Sequence, residues 1–176
     1  NIVSCPYFNL IPFHACALAT TQAAKPATYS RKAQYRPAMH GLQTASDFEH
    51  EMAWILNTLS GFEAVVVGGG GDQGVDIELY RLGELVGVAQ CKYYNPKRTI
   101  APGYIRELYG VKSMMGVKIA HLFTTARASA QTHELATQLG IKLYDGEIIA
   151  VMRRKAREKT MQKPSSSSSY APPGYT

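Results

Sequence analysis

Cysteine is scarce in this 176-residue chain. Cys5, Cys16 and Cys91 are odd in number, widely spaced and free of any C-x-x-C pair. Neither a disulfide framework nor a zinc knuckle is indicated, and a reducing, cytoplasmic compartment fits best. Charge is missing from residues 1–24, which hold no Lys, Arg, Asp or Glu. Pro6, Pro12, Asn1 and Asn9 interrupt that stretch, so a membrane span there is disfavoured. Acid is absent through residue 46, against four basic residues, a composition that also suits an organelle-targeting leader. The initiator methionine is absent too, as in a fragment, and there is no internal repeat. Two motifs lack their decisive part. His50-Glu51-Met52-Ala53-Trp54 has tryptophan where a zinc peptidase needs its second histidine. The G-x-G-x-x-G of residues 69–74 opens a β-rich stretch rather than the helix that a dinucleotide site requires.

What is present suffices for one domain with a sizeable core, since 45% of the residues are hydrophobic. Phe48, Met52, Ile55, Leu56 and Leu59 fall at helical spacing and predict a helix over 47–60. A short apolar strand follows at 62–67, then a hairpin. Pro102 starts a helix to 115, with Tyr104, Leu108, Val111 and Met115 on one face. Residues 118–124 read as a strand in which His121 is expected to be a satisfied interior histidine rather than a catalyst. Helices at 129–139 and from 147 to about 157 flank a strand at 141–144. The expected architecture is an α/β sandwich, a mixed sheet of about five strands flanked by helices. Beyond it, Pro164, five serines and Pro172-Pro173-Gly174 form a low-complexity tail expected to be disordered.

The chemistry concentrates in the hairpin. Val75, Ile77 and Leu79 alternate with Asp76, Glu78 and Tyr80 as a half-buried strand requires. A turn near Gly83 then sets Asp76 opposite Gln90, and Lys92 joins them on the same sheet face. A carboxylate, an amide oxygen and the carbonyl of Cys91 make an oxygen-rich pocket suited to Mg²⁺. Lys92 would orient an activated water against a phosphorus and offset charge growing on the phosphate. Ser46-Asp47-Phe48-Glu49 reads as a capping box, which gives Glu49 a structural role as an alternative to a chemical one. Asp72, in the glycine-rich approach, reads as a turn residue.

In order, these residues resemble the Mrr-like restriction endonuclease family, the branch of the PD-(D/E)xK nuclease superfamily in which glutamine often replaces the acid of E-x-K. The pieces are Phe48-Glu49, Gly61-Phe62, Gly71 to Ile77, Gln90-Cys91-Lys92 with Tyr94, and Ile105, Glu107, Leu108 and Gly110 on one helix. Thr124-Thr125, Gly140-Ile141 and Asp145-Gly146 complete the set. Tyr93 stands where the family tends to have a basic residue, and Ala128 where an aromatic is usual. The resemblance implies a restriction-endonuclease-like sandwich over 47–152, between a basic extension at 1–46 and a basic, then disordered, tail at 153–176. It implies Asp76 as main metal ligand, Gln90 as second ligand or water-positioning group, Lys92 as catalytic lysine and Glu49 as accessory acid. The function expected is a Mg²⁺-dependent DNA endonuclease, Mn²⁺ being a substitute, in defence against foreign or modified DNA or in repair. Cutting both strands would require two sites to meet, as in a homodimer. The rival is a catalytically inactive DNA-binding module on the same fold, favoured by Gln90 and Tyr93.

Charge is unevenly spread within the net +6. Residues 152–176 carry six basic residues and one acid, whereas the stretch between the flanks carries nine basic against twelve acidic. Attraction to phosphate therefore falls largely to the flanks. Arg153, Arg154, Lys155, Arg157 and Lys159 form the densest basic run, readable as a solvated helix end or as a grip on a DNA backbone. Lys97 and Arg98 lie closer to the hairpin, placed to meet a phosphate or simply to form a surface loop.

Overall fold

The computed structural model describes residues 44–67 and 74–162. The expectations for the leader or membrane segment, the glycine run with Asp72, the serine-rich tail, Cys5 and Cys16 lie outside the described residues. Among the described residues no helix is long and apolar enough to cross a membrane.

Helix α1 (Ala45–Leu59) begins at a reciprocal cap. The Thr44 hydroxyl accepts from the Asp47 N–H at 3.1 Å, and the Asp47 carboxylate accepts from the Thr44 N–H at 2.9 Å. The cap expected at Ser46 and Glu49 is thus displaced by two residues. Thr44-x-x-Asp47 has the same spacing and captures extra helix, which leaves Glu49 out of the box. Phe48, Met52, Ile55 and Leu56 are buried along one stripe, each contributing about 1.5–3 kcal/mol by leaving water.

The chain continues through strands β1 (Glu63–Val66), β2 (Ile77–Arg81), β3 (Glu84–Lys92) and β4 (Thr99–Ile100) to helix α2 (Gly103–Met114). Strands β5 (Ile119–Thr124) and β6 (Arg127–Ala128), helix α3 (Ala130–Gln138), strand β7 (Lys142–Tyr144) and helix α4 (Gly146–Met161) follow. The main sheet has the order β1-β2-β3-β5-β7, antiparallel through β3 and parallel beyond it. It is the mixed five-stranded α/β sheet expected. A two-stranded parallel ladder between β4 and β6 was not expected, because two-residue strands display no alternation to read.

Two apolar layers cover the sheet. Helices α1 and α4 pack on the face carrying Ile77, Leu79, Ala89 and Phe123, with Ile149 and Ala156 from α4. Helices α2 and α3 pack on the face carrying Val88, Ala120 and Leu122, with Ile105, Leu108 and Ala136. The helix expected from 147 to about 157 runs on to Met161, into the stretch set apart as a tail, and Ala156 is fully buried. Arg153 reaches Glu51 of α1 through two bonds of 2.7 Å, from Nε to Oε1 and from Nη2 to Oε2. Glu51 is only 2% exposed, so this arginine is committed to the interior rather than to a DNA backbone. Loss of Arg153 would cost about 3–5 kcal/mol by stranding the buried Glu51 carboxylate. The exposed edge of β1 is occupied by Asn57, whose amide donates to the Ala64 carbonyl at 2.9 Å and accepts from its N–H at 3.1 Å.

The β2–β3 hairpin turns on Leu82 and Gly83, at φ 53° and 85°. A turn this tight, continued without interruption, would pair Ile77 with Val88. The register shifts between Leu79 and Tyr80, however, so that Tyr80 faces Leu85 while Leu79 faces Gly87. The extra residue on β3 is a bulge, and beyond it Ile77 pairs with Ala89, the last pair of this ladder, while the Asp76 N–H reaches the same Ala89 carbonyl at 3.0 Å. Gly87 lets β3 approach β5: a Cβ there would stand 2.6 Å from the Ile119 Cβ and 2.8 Å from its carbonyl oxygen. Val75 departs from the expected alternation with Ile77 and Leu79. It packs with Val88 on the opposite layer, because the chain is still turning at Gly74 before β2 begins.

Candidate active site

Asp76 sits at the mouth of the hairpin, where its backbone N–H donates to the Ala89 carbonyl and its carbonyl accepts from the Val67 N–H, both at 3.0 Å. Its carboxylate Oδ2 accepts the Cys91 N–H at 2.6 Å, a charge-assisted bond that fixes the side chain against β3. Gln90 follows on the face that Val88 occupies. It is 5% exposed, and its Oε1 has no hydrogen-bond partner among the described residues. An unmatched buried carbonyl costs about 1–3 kcal/mol, so its retention points to something it receives. Gly74, at φ 82°, makes room for this amide: a Cβ there would lie 2.9 Å from the Gln90 Nε2.

Lys92 lies two residues farther along the same face, its Nζ 5.4 Å from the centroid of the Tyr104 ring. Its backbone is pinned to β5, for the Lys92 carbonyl accepts from the Thr125 N–H at 3.2 Å and from the Thr124 hydroxyl at 3.0 Å. Backbone groups of successive strand residues point to opposite edges, so the Cys91 carbonyl is directed toward the Asp76 side. Glu49 enters from the α1 layer, half-buried in the first turns of that helix. Its charge and that of Asp76 converge on the Cys91 thiol. Burial foremost, then Asp76 and Glu49, push that thiol well above its usual range, with Lys92 opposing. The thiol is therefore neutral and a poor nucleophile. Among the described residues there is no group of three His, Cys, Asp or Glu side chains that could hold a metal ion. A cation would rely on Asp76, the Gln90 amide oxygen and the Cys91 carbonyl, an all-oxygen donor set suited to a hard ion.

The profile of the Mrr catalytic-domain family, described as restriction endonuclease, matches residues 43–152. The chain belongs to this restriction endonuclease family. Two solved structures are similar to it. A protein of unknown function, AF1548, shares 23% identity at a TM-score of 0.48, over 62% of this chain and 65% of that one. The MspJI restriction endonuclease in complex with a 27-mer oligonucleotide shares 20% identity at a TM-score of 0.45, over 61% of this chain and 27% of that one. The chain thus spans less than two thirds of either protein. No curated protein matches it.

Several positions in this Mrr-type domain have contacts that sequence did not disclose. Tyr93, standing at a position where a basic residue is usual, packs its ring 5.9 Å from Phe48. Ala128 lies in β6 against the α2–α3 layer. Thr125 receives the Tyr94 N–H at 2.8 Å, so Thr124 and Thr125 together lock the end of β3. His121 is interior as expected but not satisfied, since neither ring nitrogen has a partner among the described residues. Tyr104, on the helix face it shares with Leu108 and Val111, also faces Lys92. No sequence signal marks that contact, because a tyrosine on an apolar helix face is ordinarily core.

Proposed function

We propose that this Mrr-type domain is a divalent-metal-dependent DNA endonuclease that hydrolyses phosphodiester bonds in a reducing cytoplasm. Its role would be defence against foreign or modified DNA, or DNA repair. The observation that carries the reading is that two successive residues of β3 present an unpartnered, buried Gln90 Oε1 and a Cys91 N–H that holds the Asp76 carboxylate at 2.6 Å. Asp76, Gln90 and the Cys91 carbonyl fit Mg²⁺, with Mn²⁺ as a substitute, because such ions take oxygen donors and tolerate an incomplete protein shell. When bound, the ion supplies Lewis-acid stabilisation of phosphate charge. The chain's own residues supply the rest. The Cys91 N–H fixes the Asp76 carboxylate, and the ammonium of Lys92 offsets negative charge that grows on the phosphate oxygens. Glu49 adds an acid from the other layer. Two copies would have to meet for both strands to be cut.

A non-catalytic DNA-binding module is the second reading. It is favoured by the amide at Gln90 and by the absence of a three-residue ligand cluster among the described residues. Nicking of supercoiled plasmid in Mg²⁺ or Mn²⁺ separates the two. For the endonuclease, Asp76→Ala and Lys92→Ala are expected to lower the nicking rate at least about 100-fold while duplex binding persists. Binding without cleavage in any divalent metal or DNA form would establish the module instead.

A further inference from the structure

We infer that Tyr104 is a positioning residue for Lys92, holding the lysine ammonium at the end of β3 through the face of its ring, with Tyr94 holding Tyr104 in turn. The inference rests on the nuclease reading above, in which Lys92 acts on the phosphate. Lysine carries its charge on a flexible four-carbon stem, and pinning its backbone does not fix its ammonium. The Thr124 and Thr125 contacts fix only the Lys92 carbonyl. The Tyr104 ring, 5.4 Å from Nζ, is a cation–π partner for the head group itself.

The ring is itself held. Tyr104 lies in the first turn of α2, partly buried against the Ile105 and Leu108 layer. Its hydroxyl is 2.9 Å from that of Tyr94. Tyr94 is fixed at its backbone by the Thr125 hydroxyl and covered on its ring by Arg98, whose guanidinium carbon is 4.6 Å from the centroid. The bond to Tyr104, followed by burial, raises the Tyr94 pKa. Tyr94 is therefore a neutral partner for the Tyr104 hydroxyl. Tyr104→Phe keeps the ring and loses only the bond to Tyr94, whereas Tyr104→Leu removes the ring at similar bulk.

The test uses the full chain and two readouts. The Cε–H resonances of lysine-labelled protein, assigned by Lys92→Arg, report the ring current without any activity. The Lys92 signal is expected to be shifted in the wild type and in Tyr104→Phe, and to return to the position of the exposed lysines in Tyr104→Leu. At saturating plasmid, Tyr104→Leu is expected to slow nicking roughly 3- to 30-fold. Tyr104→Phe should stay within about 3-fold of wild type, and duplex affinity should be unchanged in both. An unshifted Lys92 signal in the wild type overturns the inference, as does Tyr104→Leu nicking at the wild-type rate. A rate loss tracking weaker DNA binding or shared equally by Tyr104→Phe overturns it too, by assigning Tyr104 a DNA contact or a structural role. Nicking abolished by Lys92→Ala but untouched by Tyr104→Leu defeats this inference alone; no nicking by the wild type defeats the nuclease reading with it.

Discussion

His121 is surrounded by Phe62, Phe123 and Tyr144, with ring centroids 5.5–6.3 Å away, and neither of its nitrogens is bonded among the described residues. Burial, aided by the Lys142 charge, lowers its pKa from 6.5 to about 4. The folded protein therefore holds this imidazole neutral while the unfolded chain takes up a proton between those values. The stability it contributes is complete above about pH 6.5 and is lost as pH falls toward 4. The expected loss from this residue is roughly 2–3 kcal/mol between pH 7 and pH 4.5. Urea unfolding at the two pH values should show it, and His121→Leu should remove most of that difference. An unaltered pH dependence in His121→Leu would mean that the imidazole is protonated in the folded state. The same absence of partners has another meaning at Gln90. That residue directly precedes Cys91, whose N–H holds the Asp76 carboxylate, whereas His121 is sealed among rings, so under the nuclease reading the first would serve a ligand and the second only a proton.

At the scale of elements, the hairpin shows what sequence discloses and what it withholds. Alternation along β3 is enough to set Gln90 and Lys92 on one face, and Gly83 is enough to locate the turn. The bulge is not legible, because no residue type marks it, yet it decides whether Ile77 pairs with Ala89 or with Val88. The helices were legible from their apolar spacing. The contacts that join them were not: Glu51 and Arg153 are 102 positions apart, and nothing local in either helix names the other. The turn carries its own liability. Leu82 is 99% exposed at φ 53°, a left-handed conformation that suits asparagine far better than leucine. Leu82→Asn is expected to stabilise the fold by about 0.5–1 kcal/mol through relief of that strain. Thermal unfolding would register a midpoint a few degrees higher, with nicking unchanged. A lower midpoint would show that the hairpin does not use this turn in solution.

For the molecule as a whole, the question under the nuclease reading is which cations would meet the proposed DNA. The stretch between the two basic flanks is acid-rich, with nine basic residues against twelve acidic, so the proposed DNA would be drawn by local groups rather than by overall charge. Two sets are available. One is the α4 series, from which Arg153 is withdrawn by Glu51, leaving Arg154, Lys155, Arg157 and Lys159 exposed. Helix α4 starts at Gly146, just past Tyr144, which lies in line with Cys91 across Phe123. Arg157 and Lys159 are then roughly 16–20 Å down the helix from the site's end of the sheet. The other set is Lys97, Arg98 and Arg127, all exposed and gathered by the β4–β6 ladder, where the Arg127 N–H donates to the Arg98 carbonyl at 2.9 Å. These stand within a few residues of Lys92 and Thr124, so they can meet phosphates flanking a bond placed at Asp76. Each phosphate contact contributes about 0.9 to the slope of log K against log salt on duplex DNA. In an Asp76→Ala background, replacing Lys97, Arg98 and Arg127 by alanine is expected to reduce that slope by about 2 to 3, and replacing Arg157 and Lys159 by less than about 1. Binding of a short duplex measured from low to moderate salt would decide it, and the reverse ranking would move the DNA track from the ladder to α4.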